Sequence, residues 1–216
     1  MTTGESPGEG LTEVTDAEEL TELIGEPLAH TRNKARASLH EVDRQWLARS
    51  PLCLVATSAA DGSCDVSPKG DPAGNLALVL DDTTLALPER PGNKRMDGFR
   101  NILANPRVGL IFLVPGRGDT LRVNGRARIL REAPFFGRMT VRGHRPKLAL
   151  LVETEEVFYH CSKAFLRSRA WDPESWDPGA LPSRARIAKA VERPDDALSE
   201  LEAYYGPSYA ERLYAG

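Results

Sequence analysis

Arg90, Lys94 and Arg95 gather around a Pro91-Gly92 turn with Asn93 between them, and cations clustered at a turn are suited to holding a phosphate. Residues 83–87 have strand composition, Pro91-Gly92 signals the turn, and Asn93 is a good N-cap for a helix expected over 95–104. The first turn of such a helix offers free backbone N–H groups and a partial positive charge, to which the side chains add full charges. From the motif alone, a solvated charged turn opening an ordinary surface helix fits equally well. Two acids, Asp65 and Glu89, lie close to these cations and to Lys69, and are read as groups that orient Lys69 and Arg90 by ion pairing or accept hydrogen bonds from a ligand.

A second basic group lies on one strand. Residues 120–130 alternate strictly, with Leu121, Val123, Gly125, Ala127 and Ile129 on one face and Arg122, Asn124, Arg126 and Arg128 on the other, which gives a core face and a basic face. Other reactive side chains read as structural. His160 and Cys161 are neighbours at a strand end and point to opposite faces. His144 in the Arg142-Gly143-His144-Arg145 loop is expected to face solvent. Trp171 and Trp176, each before Asp-Pro, are read as packing for a C-terminal segment in preference to a lid. No catalytic triad, metal-ligand spacing or carboxylate dyad is apparent.

The elements that must position these groups fit one domain with extended ends. The chain has 216 residues, 41% hydrophobic and 27% charged, with a net charge of −3. There is no global basic field, so nucleic acid is not expected as a partner. Three cysteines cannot all pair, which predicts a reduced, cytoplasmic protein. No signal peptide is recognisable, and no run approaches the ~18 apolar residues a membrane span needs. Residues 1–12 are expected to be disordered, 13–50 to hold helices, 51–168 the main domain and 169–216 a helical extension.

Helices are expected over 16–24, burying Leu20, Leu23 and Ile24, and over 39–49, with Leu39, Val42, Trp46 and Leu47 on one face. Strands follow at 53–58 and 64–66, after which Pro68 and Pro72 are expected to break the ladder. Further strands are expected at 76–80, 83–87, 108–114, 120–130 and 148–159, a short helix at 134–139, and helices at 162–169, 184–193 and 195–205. The result is a mainly β, α+β domain: a small antiparallel barrel or sandwich with flanking helices.

This order of elements, with Asn-Pro-Arg-Val-Gly-Leu-Ile-Phe and Leu-Arg-Val-Asn-Gly-Arg-Ala following the cationic turn, resembles the pyridoxamine 5′-phosphate oxidase-like, FMN-binding split-barrel superfamily over about residues 50–165. It is most similar to a subgroup described only as FMN-dependent enzymes, in which the stretches at 65–72 (Asp-Val-Ser-Pro-Lys-Gly-Asp-Pro), 88–95 (Pro-Glu-Arg-Pro-Gly-Asn-Lys-Arg) and 160–164 (His-Cys-Ser-Lys-Ala) are typical. The resemblance implies a homodimer with FMN in a cleft between subunits. It implies that Arg90, Asn93 and Lys94, beside Arg95, grip the ribityl phosphate. It places Ser67, Pro68 and Lys69 along the isoalloxazine ring, where a cation would stabilise the anionic reduced flavin. Arg122, Asn124 and Arg126 would add polar contacts from the second subunit.

The chain departs from pyridoxamine phosphate oxidases in having Cys64-Asp65-Val66 where they carry an Arg-rich stretch, and no terminal Arg-x-His motif, which argues against that substrate. The functions implied are an FMN-dependent oxidoreductase acting on a small organic molecule, a flavin-binding protein without turnover, or a binder of another phosphate ligand or haem on the same barrel. Haem is the weakest, for want of a well-placed axial His or Met.

Overall fold

A computed structural model describes residues 10–211 and 213–214. Most of the disordered stretch expected over 1–12 lies outside the described residues. The chain forms two compact units, one up to Lys34 and one from Ala35 onward.

The smaller unit holds helices α1 (Ala17–Ile24) and α2 (Ala29–Arg32). Asp16 caps α1, its carboxylate accepting from the amides of Glu18 and Glu19 at 2.9 Å each. Leu20, Leu23 and Ile24 are exposed, contrary to the expected buried stripe. Neither helix buries a residue, because two such short helices cannot enclose a core.

The larger unit is built on seven strands: β1 (Leu52–Ser58), β2 (Cys64–Gly70), β3 (Leu78–Val79), β4 (Thr84–Pro88), β5 (Arg107–Leu113), β6 (Thr120–Leu130) and β7 (Ala149–His160). They form one antiparallel sheet in the order β2-β1-β5-β6-β7-β4-β3. The apolar run of β5 explains its place between β1 and β6, where Leu110 and Phe112 are fully buried. On β6 the alternation holds: Leu121, Val123 and Ala127 are buried, Arg126 and Arg128 exposed. Each fully buried leucine, valine or phenylalanine contributes about 1.5–3 kcal/mol relative to exposure. A register shift at Asn124/Gly125 brings β6 so close to β7 that a Cβ on Gly125 would lie 2.0 Å from the Glu153 carbonyl, so only glycine fits.

β2 runs through Pro68 to Gly70, with Pro68 opposite Leu54, so the break in the ladder expected at Pro68 does not occur, and the strand ends before Pro72. The reason is position. β2 is an edge strand, and a proline whose missing N–H faces outward costs an edge no ladder bond.

Helix α3 (Glu41–Arg49) packs Trp46 and Leu47 inward along with the preceding Leu39. Val42, expected on that face, is 57% exposed. Its place is taken by Asp43, whose fully buried carboxylate accepts from Arg36 Nη1 (2.8 Å), Arg36 Nη2 (3.1 Å) and the His40 amide (2.7 Å). Helix α4 (Asp97–Ala104) connects β4 to β5, burying Phe99 and Ile102 and donating from Asn101 Nδ2 to Thr57 Oγ1 of β1 at 3.0 Å. After β7 come α5 (Lys163–Ser168), α6 (Arg184–Val191), α7 (Leu198–Tyr204) and α8 (Ser208–Glu211), with 3-10 turns at Pro173–Ser175 and Pro178–Ala180.

Candidate functional site

β2 and β4 stand near opposite ends of the sheet order, yet the residues at their ends meet. Lys69 of β2 pairs with Glu89, just past β4, and Arg90 Nε donates to Asp71 Oδ2, just past β2, at 2.6 Å. The sheet therefore curls until its two ends face each other, and side-chain ion pairs in place of backbone ladder bonds bridge the split. Along this seam lies a cleft of about 350 Å³, lined by Asp65, Ser67, Pro68, Lys69 and Asp71 on one side and by Glu89, Arg90, Asn93, Arg95 and Asp97 on the other. A second cavity of about 460 Å³ lies against the other face of the 89–96 loop and includes Lys94, His144, Lys147 and Tyr214. Both volumes fall in the range of small-molecule and cofactor sites.

Of the residues expected to form the site, Asp65, Ser67, Pro68, Lys69, Glu89, Arg90, Asn93 and Arg95 thus share one cleft, with Lys94 on the adjoining face of the same loop. Arg122, Asn124 and Arg126 line neither cavity. Arg122 lies over the Phe158 ring at 5.0 Å, and its Nε is buried without a hydrogen-bond partner. Asn124 Nδ2 donates to Glu156 at 2.9 Å, and Arg126 is exposed.

The loop at the cleft differs from the expected helix start. α4 begins at Asp97 with Met96 as its N-cap, two residues later than predicted. Asn93 forms a local turn, its Oδ1 accepting from the Arg95 amide at 2.9 Å, while Lys94 adopts a left-handed backbone, φ 62°. The free amides of the helix terminus therefore lie beyond Asn93. Asp97 in the first helical turn answers the positive end of the dipole and also pairs with Arg95, whose hydrogen bond holds the Asp97 carboxyl below its ordinary range.

The charges in the cleft are mostly answered internally. Lys69 is bound to Glu89 and also sits over the Phe99 ring at 5.1 Å, so the cation expected beside the ring is a paired one. Glu89 thus orients Lys69, as expected. Arg90, by contrast, is oriented neither by Asp65 nor by Glu89 but by Asp71, and Asp65 instead accepts from Ser67 Oγ at 2.9 Å. Two donors remain. Lys94 makes no ion pair among the described residues, and Arg90 Nη1 is buried with no partner although Nη2 reaches the Met139 carbonyl at 2.9 Å. A buried guanidinium N–H without an acceptor is costly, and an anion seated there would satisfy it.

Sequence reasoning missed Asp71 and Tyr214. The Asp71 side chain is 1% exposed, and its Oδ1 accepts from the Tyr214 hydroxyl at 2.7 Å. Burial, then donation to Asp71, raises the Tyr214 pKa. The Tyr214 ring stacks near His144, with centroids 5.8 Å apart. Asp71 had a signal: it stands in the same 65–72 stretch as Lys69, where a second acid invites a second cation. Tyr214 had none, being remote in sequence. Trp171 is a packing residue as expected, stacked on Phe165 at 5.6 Å and donating to the Arg117 carbonyl at 2.7 Å. Trp176 donates to the Ala170 carbonyl at 3.2 Å and stays 55% exposed.

A family model described as pyridoxamine 5′-phosphate oxidase matches residues 39–161, more than half of the chain. No curated protein matches. Similar solved structures include HupZ of Group A Streptococcus, at 23% identity over 56% of this chain and 93% of that one, with a TM-score of 0.45. They also include a pyridoxamine 5′-phosphate oxidase-type protein of Lactobacillus delbrueckii, at 25% identity over 58% and 98% of the two chains, TM-score 0.46. An FMN-binding protein of Syntrophomonas wolfei matches at 14% identity over 56% and 89%, TM-score 0.42.

Proposed function

Given that the chain belongs to the pyridoxamine 5′-phosphate oxidase family, we propose that it is an FMN-binding oxidoreductase that moves a hydride between the flavin and a small organic substrate. The observation that carries this reading is Arg90, which lines a cleft on the split of the barrel and keeps a buried Nη1 without a partner. With Lys94 nearby and in no ion pair among the described residues, the loop offers two donors of the kind a phosphate monoester takes. FMN, when bound, supplies the redox chemistry, accepting or donating the hydride at its N5.

The chain's own residues have three tasks in this scheme. Arg90 and Lys94 hold the phosphate end, with Asn93 fixing the turn that presents them. Ser67, Pro68 and Lys69 on β2 line the cleft that takes the ring. Lys69, already neutralised by Glu89, offers hydrogen bonds there more than net charge, so any stabilisation of a reduced, anionic ring by this pair is weaker than a lone cation would give. Arg122, Asn124 and Arg126, which line neither of these two cavities, act across a homodimer interface, toward which the exposed Arg126 is free to reach. Residues 51–168 carry the site and 169–216 extend it. No described helix is long and apolar enough to cross a membrane, and all three cysteines are free, in keeping with a cytoplasmic protein.

The test is an absorbance spectrum of the purified protein before and after FMN addition and desalting. Retained flavin bands are expected at one per chain. A protein that stays colourless after that treatment overturns the reading.

A further inference from the structure

The charges that line the cleft do not balance. Asp65, Asp71, Glu89 and Asp97 stand against Lys69, Arg90 and Arg95. Each cation is bound to one acid, Lys69 to Glu89, Arg90 to Asp71 and Arg95 to Asp97. Asp65 is the carboxylate left without an ion pair among the described residues, and the hydrogen bond it accepts there comes from Ser67 Oγ at 2.9 Å. The hydrogen bond and charge of Asp97, and to a smaller extent the charge of Asp65, raise the Arg95 pKa, but only Asp97 is bonded to it. Asp65 lies on the partly buried face of β2 that also carries Ser67 and Lys69. Its Oδ2 would be 3.4 Å from a Cβ built on Gly98, so the carboxylate rests against the first turn of α4. Asp65 and Gly70, near the two ends of β2, are separated by about 16 Å along the strand. Arg90, bonded to Asp71 immediately after Gly70, belongs to the other end.

We propose that Asp65 is a specificity-determining residue of the cleft: it accepts a hydrogen bond from a ring N–H of the ligand, at the end remote from Arg90, and so selects a molecule with an anion at one end and an N–H donor at the other. This rests on the reading of the cleft as a flavin site, in which the donor is the N3–H of the isoalloxazine. An ionised carboxylate can accept several hydrogen bonds, and Asp65 has capacity to spare beyond Ser67. Its charge also keeps a phosphate away from this end, because a second anion beside an unneutralised carboxylate is repelled. The first turn of α4, whose dipole would otherwise favour an anion, already has Asp65 and Asp97 against it. The two ends of the cleft therefore take opposite groups, and the ligand enters one way round.

The experiment titrates FMN, and FMN methylated at N3, into the flavin-free protein, followed by flavin fluorescence, for the wild type, Asp65→Ala and Asp65→Asn. The wild type is expected to bind FMN about tenfold more tightly than the methylated form, which has lost the donor. Asp65→Ala is expected to bind FMN about tenfold more weakly than the wild type and to bind the two flavins alike. Asp65→Asn keeps the shape and an acceptor oxygen but not the charge, and its ratio should fall between the two. A residue that only supported the fold would weaken both flavins equally and leave their ratio unchanged. A wild type that binds both flavins equally overturns the proposal and leaves the flavin reading standing, as does an undiminished ratio in Asp65→Ala. Should Asp65→Ala not fold, an undiminished ratio in Asp65→Asn overturns it. A wild type that binds neither flavin overturns both.

Discussion

The larger unit contains two buried aspartate–arginine–tyrosine groups, and they are wired differently. Around Asp43, Arg36 engages both carboxylate oxygens at 2.8 and 3.1 Å, the His40 amide adds a third donor at 2.7 Å, and Tyr159 is hydrogen-bonded as well. Around Asp71, Arg90 engages one oxygen and Tyr214 the other, and a guanidinium nitrogen is left over. The first group satisfies its carboxylate from the fold alone and ties the segment before α3 to the helix itself. The second group, set on the open seam of the barrel, leaves one donor unspent. A buried donor left without an acceptor in an otherwise well-satisfied molecule calls for a cause, and at a cleft residue a ligand is the one to test.

The sharpest way to break this contrast is to remove one cation from each site in turn. Arg36→Ala leaves a carboxylate with no exposure to water and only neutral donors, and should cost about 3 kcal/mol in urea unfolding. FMN retention by the folded fraction should be unchanged. A loss below about 1 kcal/mol would mean that the Asp43 group is not the structural one. At the other site, Lys94→Ala should do the reverse, lowering FMN affinity about tenfold with no shift in the unfolding midpoint, because an exposed unpaired lysine contributes almost nothing to stability. Unaltered affinity in that variant would move the phosphate off this loop.

The two groups also differ in how far the sequence revealed them. Strand β6, with its Leu-Val-Gly-Ala face, was legible because a strand with one core face writes its burial into every second residue, and β5 because its unbroken apolar run is a strong strand signal, although its burial alternates as well. Pro68 misled because local propensity reads proline as a break, whereas edge position decides what it costs. The loop carrying Arg90 and Lys94 was recognisable by composition, but its wiring was not. Asn93 has N-cap chemistry, yet the backbone spends it on a local turn and starts α4 at Asp97. The partners of Asp71 lie 19 and 143 residues away, and Arg36 and Asp43 face each other only because the chain folds back before α3. Long-range pairing of charges is set by the packed fold and has no periodicity to read.

Acid titration sharpens the comparison further. Burial by itself would raise the Asp43 pKa, but hydrogen bonds from Arg36 and the His40 amide, together with the Arg36 charge, outweigh it and hold the carboxyl below its ordinary range. A depressed folded-state pKa means stability that is present above the unfolded value of about 4 and lost as pH falls through the folded one. Asp43→Asn should therefore flatten the acid limb of the stability curve as well as lower the plateau. An acid limb identical to that of the wild type would show that Asp43 is not ionised in the native protein.

The smallest effect expected is at the alkaline end, and it separates the two tyrosines. Tyr159 is pushed up to about 12, first by burial and then by the negative charge of Asp43 beside it. The folded protein keeps this proton after the unfolded chain, at about pH 10, has released its own, so the contribution is complete below about 10 and drains away as pH rises toward 12. Tyr214 is shifted in the same direction by burial and by donation to Asp71, but less far, so less of the limb belongs to it. Unfolding midpoints at about pH 9 and about pH 11 should thus converge more in Tyr159→Phe than in Tyr214→Phe, each relative to the wild type. If Tyr214→Phe flattened the limb more, the cleft tyrosine would be the more tightly held of the two. The Asp71 group would then have to be counted with the structural one.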